Sequence, residues 1–159
     1  MLAVAGCAPS RPVAAEQGAT VARVGDGDTL ELANGRHVRL VQIDAPELGG
    51  GECYARQSLR ELESLAPPGR RVELRRDPRL DDVDRYGRLL RYVLVGGRNV
   101  NLELVRRGAA TPYFYRGDEG RYADALLRAV AAARSAGRGL WGVCRVTWRP
   151  DRAVATRGR

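Results

Sequence analysis

Alternating apolar and polar positions predict five short β-strands in the first two thirds of the chain. Asn34-Gly35 is a strong two-residue turn signal, and it joins two of these strands as a hairpin. A glycine-flanked turn at residues 25–29 precedes the hairpin, and Asp44-Ala45-Pro46-Glu47 ends it. The predicted strands are residues 19–24, a strand that contains Leu30 and Leu32, and residues 38–43, 71–75 and 89–95.

Apolar residues at helical spacing predict three helices. In the first, Ala55, Leu59, Leu62 and Leu65 share one face, and Pro67-Pro68-Gly69 ends the helix. The second and third are each followed by a glycine, which is the usual residue just past a helix end. The predicted helices are residues 52–65, 100–107 and 122–136.

The order of these elements predicts an α+β fold that is mainly a β-barrel. Five strands, with one helix after the third and more after the fifth, are typical of a five-stranded OB-fold barrel with about three packed helices. The length of 159 residues supports one domain, which we expect at residues 19–145. Residues 1–18 are interpreted as a signal remnant and linker, and residues 146–159 as a basic, irregular and loosely held C-terminal tail.

The charge changes this picture by suggesting a partner. A formal net charge of +8 and a pI near 10.2 favour a polyanion, either nucleic acid or an anionic surface. The three cysteines match no zinc-binding spacing, and His37 is the only histidine, so zinc chemistry is not indicated. Cys53 and Cys144 could pair as a disulfide, which would leave Cys7 alone.

The N-terminal residues suggest export. Small residues before Cys7 resemble the end of a bacterial lipoprotein signal, in which the cysteine is lipidated after cleavage. The alternative is a short apolar N-terminus with an incidental cysteine. We therefore expect a secreted or lipid-anchored bacterial protein in the extracellular space or cell envelope, which fits a structural disulfide. No segment is long enough to span a membrane.

Carboxylates at the ends of the hairpin predict a cation site. Asp28 and Asp44 supply hard oxygen ligands, and the backbone carbonyl of Ala45 can add a third, which favours Ca²⁺ or Mg²⁺ over zinc. The segment that begins at Asp26 does not match an EF-hand loop, because Leu30 and Glu31 stand where an oxygen ligand and a glycine belong. The alternative is that these aspartates only cap turns.

Arginines from two separate segments predict a phosphate site beside these carboxylates. Arg39 lies in the hairpin, and Arg88 ends the sequence Asp84-Arg85-Tyr86-Gly87-Arg88. Two planar guanidinium groups can hold a phosphodiester and neutralise charge that develops at phosphorus. Glu47, set by Pro46 three residues after Asp44, can take a proton from water. The alternatives are solvated arginines and a surface carboxylate.

Together these motifs resemble the staphylococcal nuclease (thermonuclease) family. The resemblance covers most of the chain from about Ala19 to Trp141, and three motifs in order are specific where one alone is not. The matching segments are Gly25-Asp26-Gly27-Asp28-Thr29, residues 39–47, residues 84–88, residues 101–108 and Gly139-Leu140-Trp141.

The resemblance implies an OB barrel with three helices and Ca²⁺-dependent hydrolysis of DNA and RNA at the P–O5′ bond, leaving 3′-phosphate ends. We expect no obligate protein partner and a monomer. Ala45 stands where the family usually has threonine, which a carbonyl ligand tolerates. The implied roles are metal binding for Asp28, Asp44 and the Ala45 carbonyl, general base for Glu47, phosphate binding for Arg39 and Arg88, nucleotide contact for Arg85 and Tyr86, and base stacking for Tyr113 and Tyr115.

Three alternatives stay open at this point. A core role is as compatible with Tyr113 and Tyr115 as stacking is. A catalytically silent nucleic-acid-binding barrel is the rival function, although such domains usually lose several metal and arginine positions that are all present here. A basic lipoprotein that binds anionic envelope polymers would need the charge but not this set of carboxylates and arginines.

A disulfide between Cys53 and Cys144 would tie the start of the first helix to the C-terminal end.

Overall fold

The computed structural model describes residues 16–159. The predicted fold class is confirmed: a closed five-stranded barrel carries three main helices. The strands are β1 (Glu16–Asp26), β2 (Thr29–Leu32), β3 (His37–Leu40), β4 (Ile43–Asp44), β5 (Arg71–Arg75), β6 (Leu89–Val95), β7 (Arg98–Asn99), β8 (Thr111–Pro112), β9 (Cys144–Arg149) and β10 (Arg152–Gly158). The helices are α1 (Ala55–Leu65), α2 (Val100–Arg107), α3 (Ala123–Ser135) and α4 (Leu140–Val143), with a 3-10 turn at Tyr115–Gly117.

The barrel closes through one parallel pairing. β3, β2, β1, β5 and β6 are neighbours in that order, and β3 also pairs with β6 in parallel, with Arg39 opposite Leu90. The strands alternate in burial because one face of each points into the barrel. Leu30, Val38 and Leu40 are fully buried there. The apolar positions that alternate in the sequence of these strands are therefore those that point into the barrel.

The second hairpin strand differs from its predicted range. It is not continuous over residues 38–43, because the backbone turns at Gln42, whose φ is +65°. The side chain of Gln42 stabilises the turn by donating to the Asp118 carbonyl (2.8 Å) and accepting from the Gly120 N–H (2.7 Å). The turn starts β4, which leaves the barrel and pairs with β8. Asp44 is thereby carried away from the barrel wall toward the C-terminal segment.

The helices agree with their predicted positions. α2 covers the predicted residues and ends at Gly108 in the left-handed conformation, while α3 matches within one residue at each end. α1 begins at Ala55 rather than at 52, because Tyr54 adopts a left-handed conformation that interrupts the helix. Asn101 of α2 is buried, donates to the carbonyl of Val41 (2.9 Å) and accepts from the N–H of Val93 (3.0 Å). This side chain fixes α2 against the barrel strands.

The C-terminal segment is the main correction. The expectation of an irregular, loosely held tail over residues 146–159 is wrong: β9 and β10 form an antiparallel hairpin, called here the C-terminal hairpin. Val154 and Thr156 are buried, and Thr156 donates to the carbonyl of Cys53 (2.8 Å). Because the buried residues are few and stand among arginines, the strand signal was hidden by the charge. At the other end, β1 begins at Glu16, before the predicted boundary at 19.

Cys53 and Cys144 form a disulfide, which confirms their pairing. It joins the segment before α1 to the first residue of β9 and so anchors the base of the C-terminal hairpin. Cys7 and its expected lipidation lie outside the described residues. Among residues 16–159, no helix combines the length and the hydropathy that crossing a bilayer requires.

Candidate active site at the barrel rim

The centre of the site is Arg39, which lies between two aspartates. Its Nη2 is 3.0 Å from Oδ2 of Asp28 and 2.8 Å from Oδ1 of Asp44, and all three side chains are nearly buried. Its Nη1 donates to the carbonyls of Leu40 (2.8 Å) and Ile43 (2.7 Å). These four contacts fix the guanidinium in one orientation. The structure therefore brings together three residues that the sequence places on two strands and a turn.

Asp28 is held by the turn that contains it. Its Oδ2 accepts from the N–H of Ala45 (2.9 Å) and its Oδ1 from the hydroxyl of Thr29 (3.0 Å). Gly27 lets this turn approach α1 closely, since a Cβ there would lie 2.7 Å from the Cβ atoms of both Ala45 and Ser58. The glycine next to Asp28 is thus required by packing, and it fixes where the carboxylate lies.

Asp44 accepts a hydrogen bond that the sequence did not predict. Its Oδ2 is 2.8 Å from the backbone N–H of Val154 in the C-terminal hairpin. The hairpin has an irregular register between Arg152 and Ala155, and Val154 lies in it, so its N–H is directed at Asp44 instead of at β9. Burial raises the pKa of Asp44 to about 6; Arg39 opposes this rise and the charge of Asp28 adds to it.

Glu47 lies at the surface just outside this cluster. Its N–H donates to the carboxylate of Glu52 (2.7 Å), which fixes the loop after Pro46. Packing around its carboxyl and the charges of Asp26 and Asp28 raise the pKa of Glu47 to about 7. A carboxyl that titrates near neutral pH is suited to accept and return a proton during catalysis. Asp26 therefore lies beside Glu47, whereas the ion pairs of Arg39 are with Asp28 and Asp44.

The donor chemistry of the site fits a hard cation, with an incomplete set of protein ligands. Asp28 and Asp44 offer carboxylate oxygens, as Ca²⁺ and Mg²⁺ prefer. Among residues 16–159, no group of three or more histidine, cysteine or acidic side chains is arranged to hold a metal ion. A cation here would therefore need carbonyl, water or substrate oxygens as well. Ala45 contributes its N–H to Asp28, and the metal role of its carbonyl stays a prediction.

The second side of the site is the 84–88 loop. Asp84 organises it by accepting from the N–H groups of Tyr86 (2.9 Å) and Arg88 (3.0 Å) and from Nε of Arg88 (2.7 Å). Burial alone would raise the pKa of Asp84, but these hydrogen bonds hold it below its usual value. Gly87, with a φ of +77°, closes the turn. Arg88 is therefore positioned by its own loop and not by the barrel.

A cleft of about 430 Å³ joins the two sides. Tyr86 and Tyr115 are 67% and 53% exposed, which excludes a core role for Tyr115. The rings of Tyr113 and Tyr115 are 6.5 Å apart, in an edge-to-face arrangement. Asp28, Asp44 and Glu47 do not line the cleft. Asp28 and Asp44 adjoin it through their ion pairs with Arg39. The predicted residues that do line it are Arg39, Arg85, Tyr86, Arg88, Tyr113 and Tyr115.

Sequence reasoning missed two contributors. Arg116 lines the cleft from the 3-10 turn, with its guanidinium over the ring of Tyr115 at 5.1 Å from the centroid. The sequence feature that could have identified Arg116 is its position between the predicted tyrosines and the following glycine. The N–H of Val154 had no signal, because a backbone group carries no residue type.

Comparisons with known proteins show the family of this chain. The model of the family described as "Staphylococcal nuclease homologue" matches residues 37–143, more than half of the chain. The chain belongs to this family. Membership is consistent with the OB barrel and supports nuclease activity in general.

Three relatives illustrate the range of the family. A protein named "Uncharacterized endonuclease" from Escherichia coli O157:H7 is 40% identical over 126 residues, covering 76% of this chain and 74% of its own. "Endonuclease YhcR" of Bacillus subtilis is 32% identical and matches 76% of this chain but only 11% of its own length. "Thermonuclease" of Staphylococcus hyicus is 28% identical, with 79% and 76% covered.

Proposed function

We propose that this protein is a calcium-dependent endonuclease that hydrolyses DNA and RNA without sequence preference. The proposed cut is at the P–O5′ bond and leaves 3′-phosphate ends. One observation carries the proposal: two arginines from separate segments line a single aromatic cleft, with a cluster of carboxylates beside it. Family membership and relatives named endonuclease or thermonuclease support the same activity.

Each side of the cleft has a separate task in this proposal. Tyr86, Tyr113 and Tyr115 offer ring faces on which any base can stack, which gives binding without sequence preference. Arg39 and Arg88 both line the cleft, where they bind the phosphate and neutralise the charge that develops during attack. The cleft thereby holds the nucleotide while the guanidinium groups stabilise the transition state.

Glu47 handles the proton in the same scheme. With a pKa of about 7, a substantial fraction of Glu47 is ionised at neutral pH and can accept a proton from the attacking water. As the water oxygen attacks phosphorus, its proton goes to the Glu47 carboxylate, the P–O5′ bond breaks, and the departing O5′ oxygen takes a proton from solvent. When bound to Asp28 and Asp44, Ca²⁺ would supply Lewis-acid polarisation of a phosphate oxygen.

The experiment is digestion of plasmid DNA and of RNA with Ca²⁺ and, separately, with a chelator. We expect degradation of both substrates with Ca²⁺ and 3′-phosphate ends on the products. Glu47→Gln and Arg88→Ala should remove it, whereas Arg128→Ala, an exposed arginine on α3, should leave it intact. Digestion that is insensitive to the chelator, or to the Glu47 change, would refute the mechanism. Binding without cleavage would instead favour the silent nucleic-acid-binding barrel.

We also propose that the protein acts outside the cytoplasm. The Cys53–Cys144 disulfide supports this, because such bonds persist mainly in oxidising compartments. Cys7 is proposed to carry a lipid that holds the protein at the membrane surface. Fractionation of cells that express the wild-type chain or Cys7→Ser tests this, since loss of the lipid should move the protein from the membrane fraction to the soluble one. An unchanged distribution would exclude a lipid anchor.

A further inference from the structure

The C-terminal hairpin has two different faces. Its inner face carries Val154 and Thr156, which are buried, and Trp148, whose Nε1 donates to the carbonyl of Pro112 (2.7 Å). Its outer face is formed by alternate residues and is exposed. The hairpin is thus attached to the domain by one side, and the other side is free to contact a partner.

The outer face carries unusually uniform charge. Residues 144–159 contain five arginines and one acidic side chain, Asp151, which pairs with Arg149. Arg145 lies directly opposite Arg157 in the register, and Arg149 lies opposite Arg152. All of these arginines are exposed, and among the described residues Arg145, Arg152 and Arg157 have no carboxylate partner.

Such pairs are not what solubility alone would select. Like charges directly opposite each other destabilise a two-stranded sheet by roughly 0.2–1 kcal/mol per pair. A surface that serves only solubility mixes charges of both signs, as the chain as a whole does with 27 basic and 19 acidic residues. The opposed arginines of the hairpin repel each other, and a bound polyanion would remove this repulsion.

The position of the hairpin identifies the polyanion. Val154 contacts Asp44, and the carbonyl of Pro150 accepts from the N–H of Phe114 (2.6 Å), between the two cleft tyrosines at 113 and 115. Arg152 precedes Val154 by two residues in β10, so their Cα atoms are at most about 7 Å apart. The hairpin thus adjoins both the carboxylate cluster and the aromatic cleft, yet it lies outside the family match at residues 37–143.

We propose that the outer face of the C-terminal hairpin binds phosphates of a polynucleotide beyond the nucleotides held in the cleft. This inference rests on the proposed nuclease function. The arginines contact the sugar-phosphate backbone and do not read bases, so they lengthen the bound segment without adding sequence preference. The hairpin therefore favours long chains over short oligonucleotides, and salt weakens its contribution.

The test is binding of a 20-nucleotide single-stranded DNA, measured in chelator so that it is not cleaved. The triple variant Arg145→Gln/Arg152→Gln/Arg157→Gln should bind about tenfold more weakly at low salt, and its salt slope should fall by about 2. The matched control is Arg60→Gln/Arg98→Gln/Arg128→Gln, which removes the same charge from exposed positions elsewhere. The control should lose much less affinity. The hairpin variant with lysine at the same three positions should keep most of the wild-type affinity, which separates the effect of charge from an effect on folding.

Hydrolysis separates this inference from the proposed function. With Ca²⁺, the ratio of kcat/KM on the long strand to kcat/KM on a dinucleotide should fall about tenfold in the hairpin Gln variant. If the ratio and the affinity match those of the control, the inference is wrong while the nuclease stands. If wild type cleaves neither substrate, the proposed function fails and the binding result alone decides the hairpin's role. Unchanged DNA binding with lost binding to anionic phospholipid vesicles would overturn the inference in favour of a membrane surface.

Discussion

Arg39 and Arg88, the two arginines proposed to bind phosphate, differ in how they are held. Arg39 is nearly buried and contacts two aspartates and two backbone carbonyls from β3, β4 and the turn before β2. Arg88 is about one-third exposed and pairs with Asp84 of its own loop. Arg39 is therefore part of the buried structure that forms the site, whereas Arg88 is held at the site by its own surface loop. Residues with the same proposed role in catalysis should differ in what they do for stability.

The carboxylates on each side follow the same division. Asp44 has a raised pKa because burial opposes its charge, whereas Asp84 has a lowered pKa because its own loop donates hydrogen bonds to it. On the barrel side, the negative charge of Asp44 lowers the stability of the fold. On the loop side, local hydrogen bonds stabilise the negative charge of Asp84. A cation at the barrel side would offset that cost, while the loop side needs none.

The largest expected effect separates chemistry from binding. Glu47→Gln should lower kcat by about 10²- to 10⁴-fold, because the proton acceptor is lost, with little change in binding of substrate in chelator. Tyr86→Ala on the loop side should mainly raise KM, since a stacked base is worth about 1–3 kcal/mol. Steady-state kinetics on RNA checks both variants. A Glu47→Gln enzyme that changes only KM would contradict the division.

The next effect tests the two arginines directly. Arg39→Gln should lower the free energy of unfolding by about 3–5 kcal/mol, because it leaves two nearly buried carboxylates without their partner. Arg88→Gln, the matched change on the loop side, should cost at most about 1 kcal/mol, as for other partly exposed pairs. Both should lose activity. Urea denaturation in chelator measures the difference, and equal losses of stability would remove the distinction drawn here.

The pH dependence of stability should have opposite signs on the two sides. The pKa of Asp44 is about 6 in the folded state against 3.8 unfolded, so the folded state binds the proton more tightly. Stability therefore falls as pH rises from about 4 to 6, and the cost above pH 6 is on the order of 3 kcal/mol. Asp44→Asn should abolish this fall in stability. In the wild type, Ca²⁺ added at pH 7.5 should reduce the destabilisation that the Asp44 charge causes.

For Asp84 the expected direction is reversed. Its folded-state pKa lies below the unfolded value, so its contribution is present above pH 3.8 and is lost as pH falls through the folded value. Asp84→Asn should therefore destabilise the protein at pH 7 more than at pH 2.5. Thermal melts of both variants across pH, without divalent cations, check the pair. Parallel pH profiles for Asp44→Asn and Asp84→Asn would show that the assignment of sides is wrong.

The smallest effect concerns the hydrogen bond from the C-terminal hairpin. Val154→Pro removes the N–H that Asp44 accepts, and a buried acceptor left without its donor costs about 1–3 kcal/mol. Val154→Ala keeps the N–H and reports the loss of side-chain packing alone. We expect the proline variant to be the less stable of the two and its deficit to shrink when Ca²⁺ is added. Equal melting temperatures would mean that this contact does not support Asp44.

Much of the barrel could be predicted because its residues alternate regularly. The segments that became β5, β6 and α2 were located correctly. Apolar residues in β5 alternate, those in α2 have helical spacing, and β6 is a mostly apolar run that ends at Gly96-Gly97. The turn at Gln42 could not be predicted, because glutamine rarely adopts positive φ and the contacts that stabilise it come from residues 118 and 120. Its consequence, the separate strand that carries Asp44, was equally hidden.

The residue types of the candidate site could be predicted, but their partners could not. Arg39 and Asp28 were recognisable as a phosphate and a cation group, yet nothing in their spacing shows that the guanidinium lies between two aspartates. The C-terminal hairpin was missed because its buried residues are few, the segment is rich in arginine, and its support comes from a disulfide to Cys53. Local pattern predicts elements, whereas long-range contacts decide which of them reach the site.

That disulfide also sets how the molecule responds to a cut chain. It joins residues 91 positions apart, and the exposed 84–88 loop lies between them. A protease that cleaves this loop therefore leaves two fragments still joined by a covalent bond, with the barrel strands on either side of the cut. Such a nicked protein would migrate as one species without reductant and as two with it.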